Sequence, residues 1–169
     1  MYFKSVPKIV YPFGDENFYV TDIHRRVGVF PLGKKNRAFS FAYFVQDGEK
    51  PEHIAHNYYG SSKYHWVILL YNDIVNVTEE WPIHSNDLFE FCESKYGTGN
   101  ATDVHHYKLR GEEEIIVDYD PGQYATGEIL DVTNYQYEEE LNDKKRQIFL
   151  LKKDYLREFV SQYKSLIQK

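Results

Sequence analysis

Cysteine is almost missing from this chain: Cys92 is the single example among 169 residues, so no intrachain disulfide can form and the fold needs no oxidising compartment. Cys92 sits in LFEFCESKYG with no Lys, Arg or His immediately beside it, which argues against an activated thiolate and for a small buried hydrophobe. Long apolar runs are missing too. The longest, WVILLY from Trp66 to Tyr71, falls far short of the roughly 20 residues that a membrane span requires, so no membrane partner is expected. The opening MYFKSVPKIVYPFG has prolines where a signal peptide needs its apolar stretch, and export by the usual signal is not expected. Positive charge is scarce: 20 Lys and Arg face 26 Asp and Glu, for a net charge of −6. The best candidate basic runs, HRR at His24 to Arg26 and GKKNR at Gly33 to Arg37, are short, so nucleic acid is not an expected partner. No Gly-rich phosphate loop, GxSxG elbow, HExxH pattern or Cys/His arrangement occurs.

Aromatic residues are what the chain has in plenty, 16 Tyr, 11 Phe and 2 Trp giving a 17% aromatic share within an ordinary 42% hydrophobic content. Tyr presents a large apolar face with a polar tip, so it can cover surfaces that are wet before assembly and buried afterwards. A protein with partners and a protein that spends these rings on its own core both satisfy the composition. The length fits one domain, or one small domain with extensions.

Along the chain, β-prone runs at Ile9 to Tyr11 and Phe18 to Ile23 flank FGDEN, which predicts an amino-terminal hairpin. RRVGVFPLGKKNRAF, broken by Pro31 and Gly33, reads as irregular. Tyr43 to Gln46 reads as a strand and Asp47-Gly48 as its turn. Pro51 then starts a helix with Ile54, Ala55, Tyr58 and Tyr59 on one face, and Gly60 ends it. Ser61 or Ser62 caps a second, almost wholly apolar helix through Tyr71. NDIVNVTEEWPI reads as a return segment. SNDLFEFCESKYG follows as a short helix capped by Ser85 or Asn86 and closed by Gly97. GTGNAT is the most linker-like stretch, and β-prone pieces follow around His106 to Leu109 and Glu114 to Tyr119, with a turn at Asp120 to Gln123. TNYQYEEEL and KKRQIFLL read as a β-hairpin turning at Asn142-Asp143. The last segment carries Tyr155, Leu156, Phe159, Val160, Tyr163, Leu166 and Ile167 at helical spacing. The expectation is therefore an α+β fold, divided at 1–42, 43–83 and 84–169.

Histidines and carboxylates offer weak chemistry. His53 and His56 lie three apart, a spacing that can bring two imidazoles to a metal, but nothing completes a ligand set. His105 and His106 are adjacent, which on a regular strand would send them to opposite faces. Asp118 with Asp120 could share a face, yet among 26 acids such pairs arise by chance. No catalytic residue, metal ligand or cofactor is assigned.

Specificity lies in DGEKPEHIAHNYYG followed by YHWVILLYNDI, which resembles the LysM module in its strand, turn, two helices and Asn before a returning strand. Gly48, Ile54, Ala55, Tyr59, Gly60 and Asn72 stand at that pattern's positions, and Lys50 replaces the usual capping Thr. That resemblance implies a sugar groove at Gly48, Glu49, Lys50, Pro51, Asn72 and Asp73, and a peptidoglycan-binding module as one alternative. The wider wording, with Pro51-Glu52, Ile54-Ala55, Tyr59-Gly60, Trp66 to Leu69 and Trp81-Pro82, resembles the gene product fifty-three family of baseplate wedge proteins from contractile-tailed bacteriophages. Val6 to Ile9 and the tail from TNYQYEEEL onward share the likeness, and residues 97–127 carry least of it. The resemblance implies a structural virion subunit, not an enzyme, assembled in the host cytoplasm in several copies per tail baseplate. Its expected partners are other wedge subunits and central hub or tube proteins. Candidate contacts are Tyr58, Tyr64, Trp66 and Trp81, with Phe159 and Tyr163 on the carboxy-terminal helix, because aromatic anchors bury much area with few rotors to freeze. Trp66, among apolar neighbours, also reads as core. The isolated chain is expected to self-associate.

Overall fold

The computed structural model describes residues 6–25, 27–28 and 38–168, with the side chains of 112–114 outside the description. The irregular stretch expected around Pro31 and Gly33 and the basic run GKKNR lie outside the described residues. The fold is α+β, with helices and three small antiparallel sheets among the described residues. It divides into two units, neither continuous in sequence. Unit 1 comprises residues 1–45, 49–81 and 147–169, and unit 2 comprises residues 46–48 and 82–146.

In unit 1, β1 (Lys8–Phe13) and β2 (Glu16–Thr21) form the expected amino-terminal hairpin around Gly14-Asp15. Gly14 has φ +61 and Asp15 has no positive φ, the pattern of a II′ turn, whose twist matches the strands it joins. β3 (Ser40–Phe44) leads to α1 (Pro51–Tyr59), which begins at Pro51 because a first-turn residue needs no N–H. Lys50 supplies no side-chain cap; the ring Nδ1 of His53 accepts the Lys50 amide at 3.4 Å instead. Gly60 ends α1 in the left-handed region at φ +79. Ser61 caps a 3-10 turn (Ser62–Tyr64) that runs into α2 (His65–Tyr71).

The strand that returns after α2 is not local. NDIVNVTEEWPI holds the short helix α3 (Val77–Glu80), and the partner of β3 is β7 (Gln147–Leu151), paired antiparallel from Ser40↔Leu151 to Phe44↔Gln147. The strand–helix–helix–strand order implied by the LysM resemblance is therefore present, closed by a strand distant in sequence. Val45, Ile54, Ala55, Ile68, Trp81, Ile148 and Leu150 form its core. Each such aliphatic side chain contributes roughly 1.5–3 kcal/mol by leaving water. Two smaller clusters join α2 to the carboxy-terminal α7 (Lys153–Ile167) through Val67, Tyr71, Trp66, Phe159 and Tyr163.

Unit 2 contains α4 (Ser85–Tyr96), capped by the His84 ring, whose Nδ1 accepts the Asn86 amide at 3.0 Å, rather than by Ser85 or Asn86. Its sheet has the order β5-β4-β6, with β4 Val104–Leu109, β5 Glu112–Val117 and β6 Ile129–Thr133. The expected turn at Asp120 to Gln123 opens a short helix, α5 (Pro121–Thr126), with the Asp120 carboxylate accepting the amides of Gly122 and Gln123.

The β-hairpin expected over 133–151 is not formed. Its first arm is the helix α6 (Asn134–Arg146), and KKRQIFLL is split between the end of α6 and β7. Every fourth residue of α6, Asn134, Glu138, Asn142 and Arg146, is buried, so the inward stripe of this helix is polar and carries no apolar spacing to read. A sequence signal did exist. Thr133 and Gln136 form a capping box, with Thr133 Oγ1 accepting the Gln136 amide and Gln136 Oε1 accepting the Thr133 amide.

Candidate protein-interaction site

Trp81 and Tyr163 are spent on their own unit, 7% and 3% exposed. The Trp81 indole N–H donates to the Glu49 carbonyl at 2.9 Å, and the Tyr163 ring packs 4.6 Å from that of Trp66. Trp66, Tyr58, Tyr64 and Phe159 are half-buried. Tyr58 lies edge-on to Phe41 and Tyr59, with the Lys153 ammonium 4.9 Å above its ring. Tyr64 packs edge-on to Tyr59, and Phe159 borders an apolar cavity of about 440 Å³ that Leu70, Tyr71, Tyr155 and Leu166 also line. The structure therefore brings Trp66, Phe159 and Tyr163 together between α2 and α7, and sets Tyr58 and Tyr64 each against Tyr59.

The six groove residues do not form one set of available polar groups. Gly48 belongs to unit 2, where a Cβ would come within 2.7 Å of the His84 ring. Pro51 is buried, and Asn72 is fully used as a clamp. Its amide donates to the carbonyls of Ile68 (2.8 Å) and Phe149 (2.9 Å), and its Oδ1 accepts the Phe149 amide at 2.8 Å, fixing β7 to the end of α2. Glu49 accepts the Tyr43 hydroxyl at 2.9 Å. Burial first, then this carboxylate, pushes that phenol up to about 12. Lys50 and Asp73 are exposed, Asp73 in the left-handed region at φ 60.

The other groups singled out in the sequence are structural where they can be traced. His53 caps α1, and Asp120 caps α5. His105 and His106 do not diverge, because β4 slips register between Val104 and His106 as it pairs with β6, and their Nδ1 atoms meet at 2.8 Å. His105 stacks 4.0 Å from Tyr137; burial, then His105, lowers the pKa of His106.

The polar stripe of α6 is satisfied residue by residue. Asn134 Nδ2 donates to the Asn100 carbonyl. Glu138 accepts Lys95 Nζ at 2.7 Å and the Tyr96 hydroxyl at 2.6 Å. Burial acts to raise its pKa, and these partners bring it below the usual carboxylate range. Asn142 bonds both the amide and the carbonyl of Ile83. Arg146 donates to Asp47 at 2.8 Å and to Asp143 at 3.1 Å, and the first of these holds Asp47 down to about 2.

What sequence reasoning missed as a surface is the hairpin. Cross-strand partners place Ile9, Tyr11, Phe13, Phe18 and Val20 on one face, and all five are exposed, from 37% at Val20 to 70% at Phe13. Val10 and Tyr19 are exposed on the opposite face, Tyr19 at 74%. The lack of alternation in KIVYPF and NFYVT, apolar at odd and even positions alike, was the available signal. Among the described residues no group of three or more metal-ligating side chains occurs, and no helix is long and apolar enough to cross a membrane.

A small α+β chain that leaves this much aromatic and aliphatic surface unspent belongs to the class of partner-binding structural proteins. The base plate wedge protein 53 family matches residues 19–149, and the chain belongs to that family. It is thereby a phage baseplate protein with a structural role in the virion tail. No individual curated protein matches the chain.

Proposed function

We propose that the chain is a non-enzymatic tie in the wedge of a contractile tail: it joins wedge subunits to one another and to the central hub or tube, in several copies per baseplate, and is assembled in the host cytoplasm. The family match over residues 19–149 carries this reading. The distribution of surface agrees with it. A tie needs more than one docking face, and unit 1 offers an apolar hairpin as well as the half-buried ring set Tyr58, Tyr64, Trp66 and Phe159. The half-buried rings suit anchoring, since a ring already held by neighbours loses little rotamer freedom when a partner covers the rest.

The test is assembly without the chain. Phage carrying a disrupted copy of this gene is expected to accumulate free wedges or wedge intermediates and no closed baseplates, seen by sedimentation and negative-stain microscopy, with rescue by the wild-type chain. Normal, infectious tails lacking the chain would overturn the reading.

A further inference from the structure

Among the described residues the β1–β2 hairpin makes no extensive packing with another helix or strand, and both strands are exposed along almost their whole length. Its root is fixed. Val6 is buried against Tyr163 and Ile167, Arg25 pairs with Asp22 at 3.1 Å, and the Asp22 amide donates to the Pro7 carbonyl. A two-stranded ribbon is marginal in water unless a third layer covers it. Here the base is anchored and the ribbon itself is bare.

The two faces say what can cover it. Ile9, Tyr11, Phe13, Phe18 and Val20 share one face with Glu16, while Val10, Pro12 and Tyr19 share the other with Lys8, Asn17 and Thr21. A second copy stacked face to face would cover only one of them, and the three aromatic rings of the first face bring only part of the 150–250 Å² that each can bury. That is small beside the roughly 800 Å² per partner of a stable interface. Strand addition along β1 is disfavoured because Pro12 has no N–H to give. A cleft that grips both faces removes all of this surface from water. Charge sets the direction of entry. Between residues 8 and 21 the acids are Asp15 and Glu16, at the tip, and the one base is Lys8, at the root.

We propose that the hairpin is an insertion element that enters, tip first, an apolar cleft with Lys or Arg at its floor on a different baseplate polypeptide. This rests on the wedge-subunit reading above and names the kind of partner surface it uses.

A photo-crosslinking amino acid is placed at Tyr11 in one variant and at Tyr19 in another, one on each face, and baseplates from phage complemented with these chains are irradiated and analysed by mass spectrometry. Both positions are expected to link to one and the same polypeptide, distinct from this chain. Links to a second copy, links from one face alone, links to two different polypeptides, or silence at both positions in baseplates that contain the chain would each overturn the insertion while leaving the wedge reading intact. Absence of the chain from purified tails would overturn the wedge reading, and the insertion with it. As a second measurement, the double variant Asp15→Lys, Glu16→Lys should keep the near-ultraviolet circular dichroism and melting of the wild type and lose at least about tenfold in incorporation into tails, because like charges would then meet at the floor. Unchanged incorporation would count against the basic floor and overturn the proposal.

Discussion

Unit 1 and unit 2 are organised by opposite means. In unit 1 a β-sheet, two helices and an indole close around aliphatic side chains, with Val45, Ala55 and Leu150 fully out of water. In unit 2 the buried aliphatic residues are few, among them Leu88, Ile129 and Val132, and one helix instead lays four polar side chains across separate segments: the 97–100 turn, the end of α4, the Ile83 linker and the Asp47 turn. An apolar core is non-directional and tolerates imprecision, whereas a hydrogen-bonded stripe is worth little unless every member is satisfied. The difference teaches that unit 2 is specified by complementarity of donors and acceptors, and it should fail differently when disturbed.

The largest expected effect comes from hollowing the apolar side: Trp81→Ala should cost about 3–5 kcal/mol through the cavity and the lost bond to the Glu49 carbonyl, read from denaturant unfolding. Both tryptophans lie in unit 1, so Trp fluorescence in the wild type reports that unit selectively. A loss under about 1 kcal/mol would mean that the core is looser than its burial implies. On the polar side, Arg146→Ala strands the Asp47 contact and should cost nearly as much, up to about 3 kcal/mol after allowing for the exposure of Asp47. Asn142→Leu should cost about 1–3 kcal/mol, although it adds apolar volume, because the amide and carbonyl of Ile83 lose their partner. If Asn142→Leu stabilised the chain, the contrast between the units would collapse.

Acid sharpens the comparison. Asp47, Glu138 and Glu140 all have depressed pKa values in the folded state, so the stability they contribute is present above the ordinary carboxylate range and is lost as pH falls through it, towards about 2 for Asp47. His106 is depressed as well, so its contribution fades earlier, as pH falls below about 6.5. All four lie in unit 2. Protection of the amides in 134–146, taken relative to their intrinsic exchange rate at each pH, should fall on acidification before Trp fluorescence changes, and simultaneous loss of both signals would argue against separate failure. Base does not discriminate in this way, since raised phenols such as Tyr43 in unit 1 and Tyr96 in unit 2, each at about 12, lose their contributions together above pH 10.

The smallest expected effect concerns the groove. Asn72→Ala should lower stability by about 1–3 kcal/mol by releasing β7, and retention on purified cell wall should be at background with or without the substitution. Specific retention of the wild type, lost in the variant, would favour a saccharide-binding reading of residues 48–51 and 72–73.

The sequence by itself determined the elements whose burial follows their own spacing. The hairpin at 8–21 follows from β-prone runs either side of its Gly14-Asp15 turn, and α1 from Pro51 to its Gly60 stop, the apolar α2 and the amphipathic α7 are local patterns, because an apolar stripe at helical period needs only a core to face. Family membership was legible for the same reason, in motifs that are contiguous. Tertiary structure alone decided the rest. It chose β7 over the 72–83 segment as the partner of β3, since pairing of distant strands leaves no local mark. It also turned TNYQYEEEL into a helix with a polar interior, since a Glu or Arg reads as solvent-facing until Lys95, Tyr96 and Asp47 are in place to receive it. The aromatic anchors were sorted in the same way: composition supplied the rings, and only packing settled that Trp81 and Tyr163 are core while the rings of β1 and β2 are left bare.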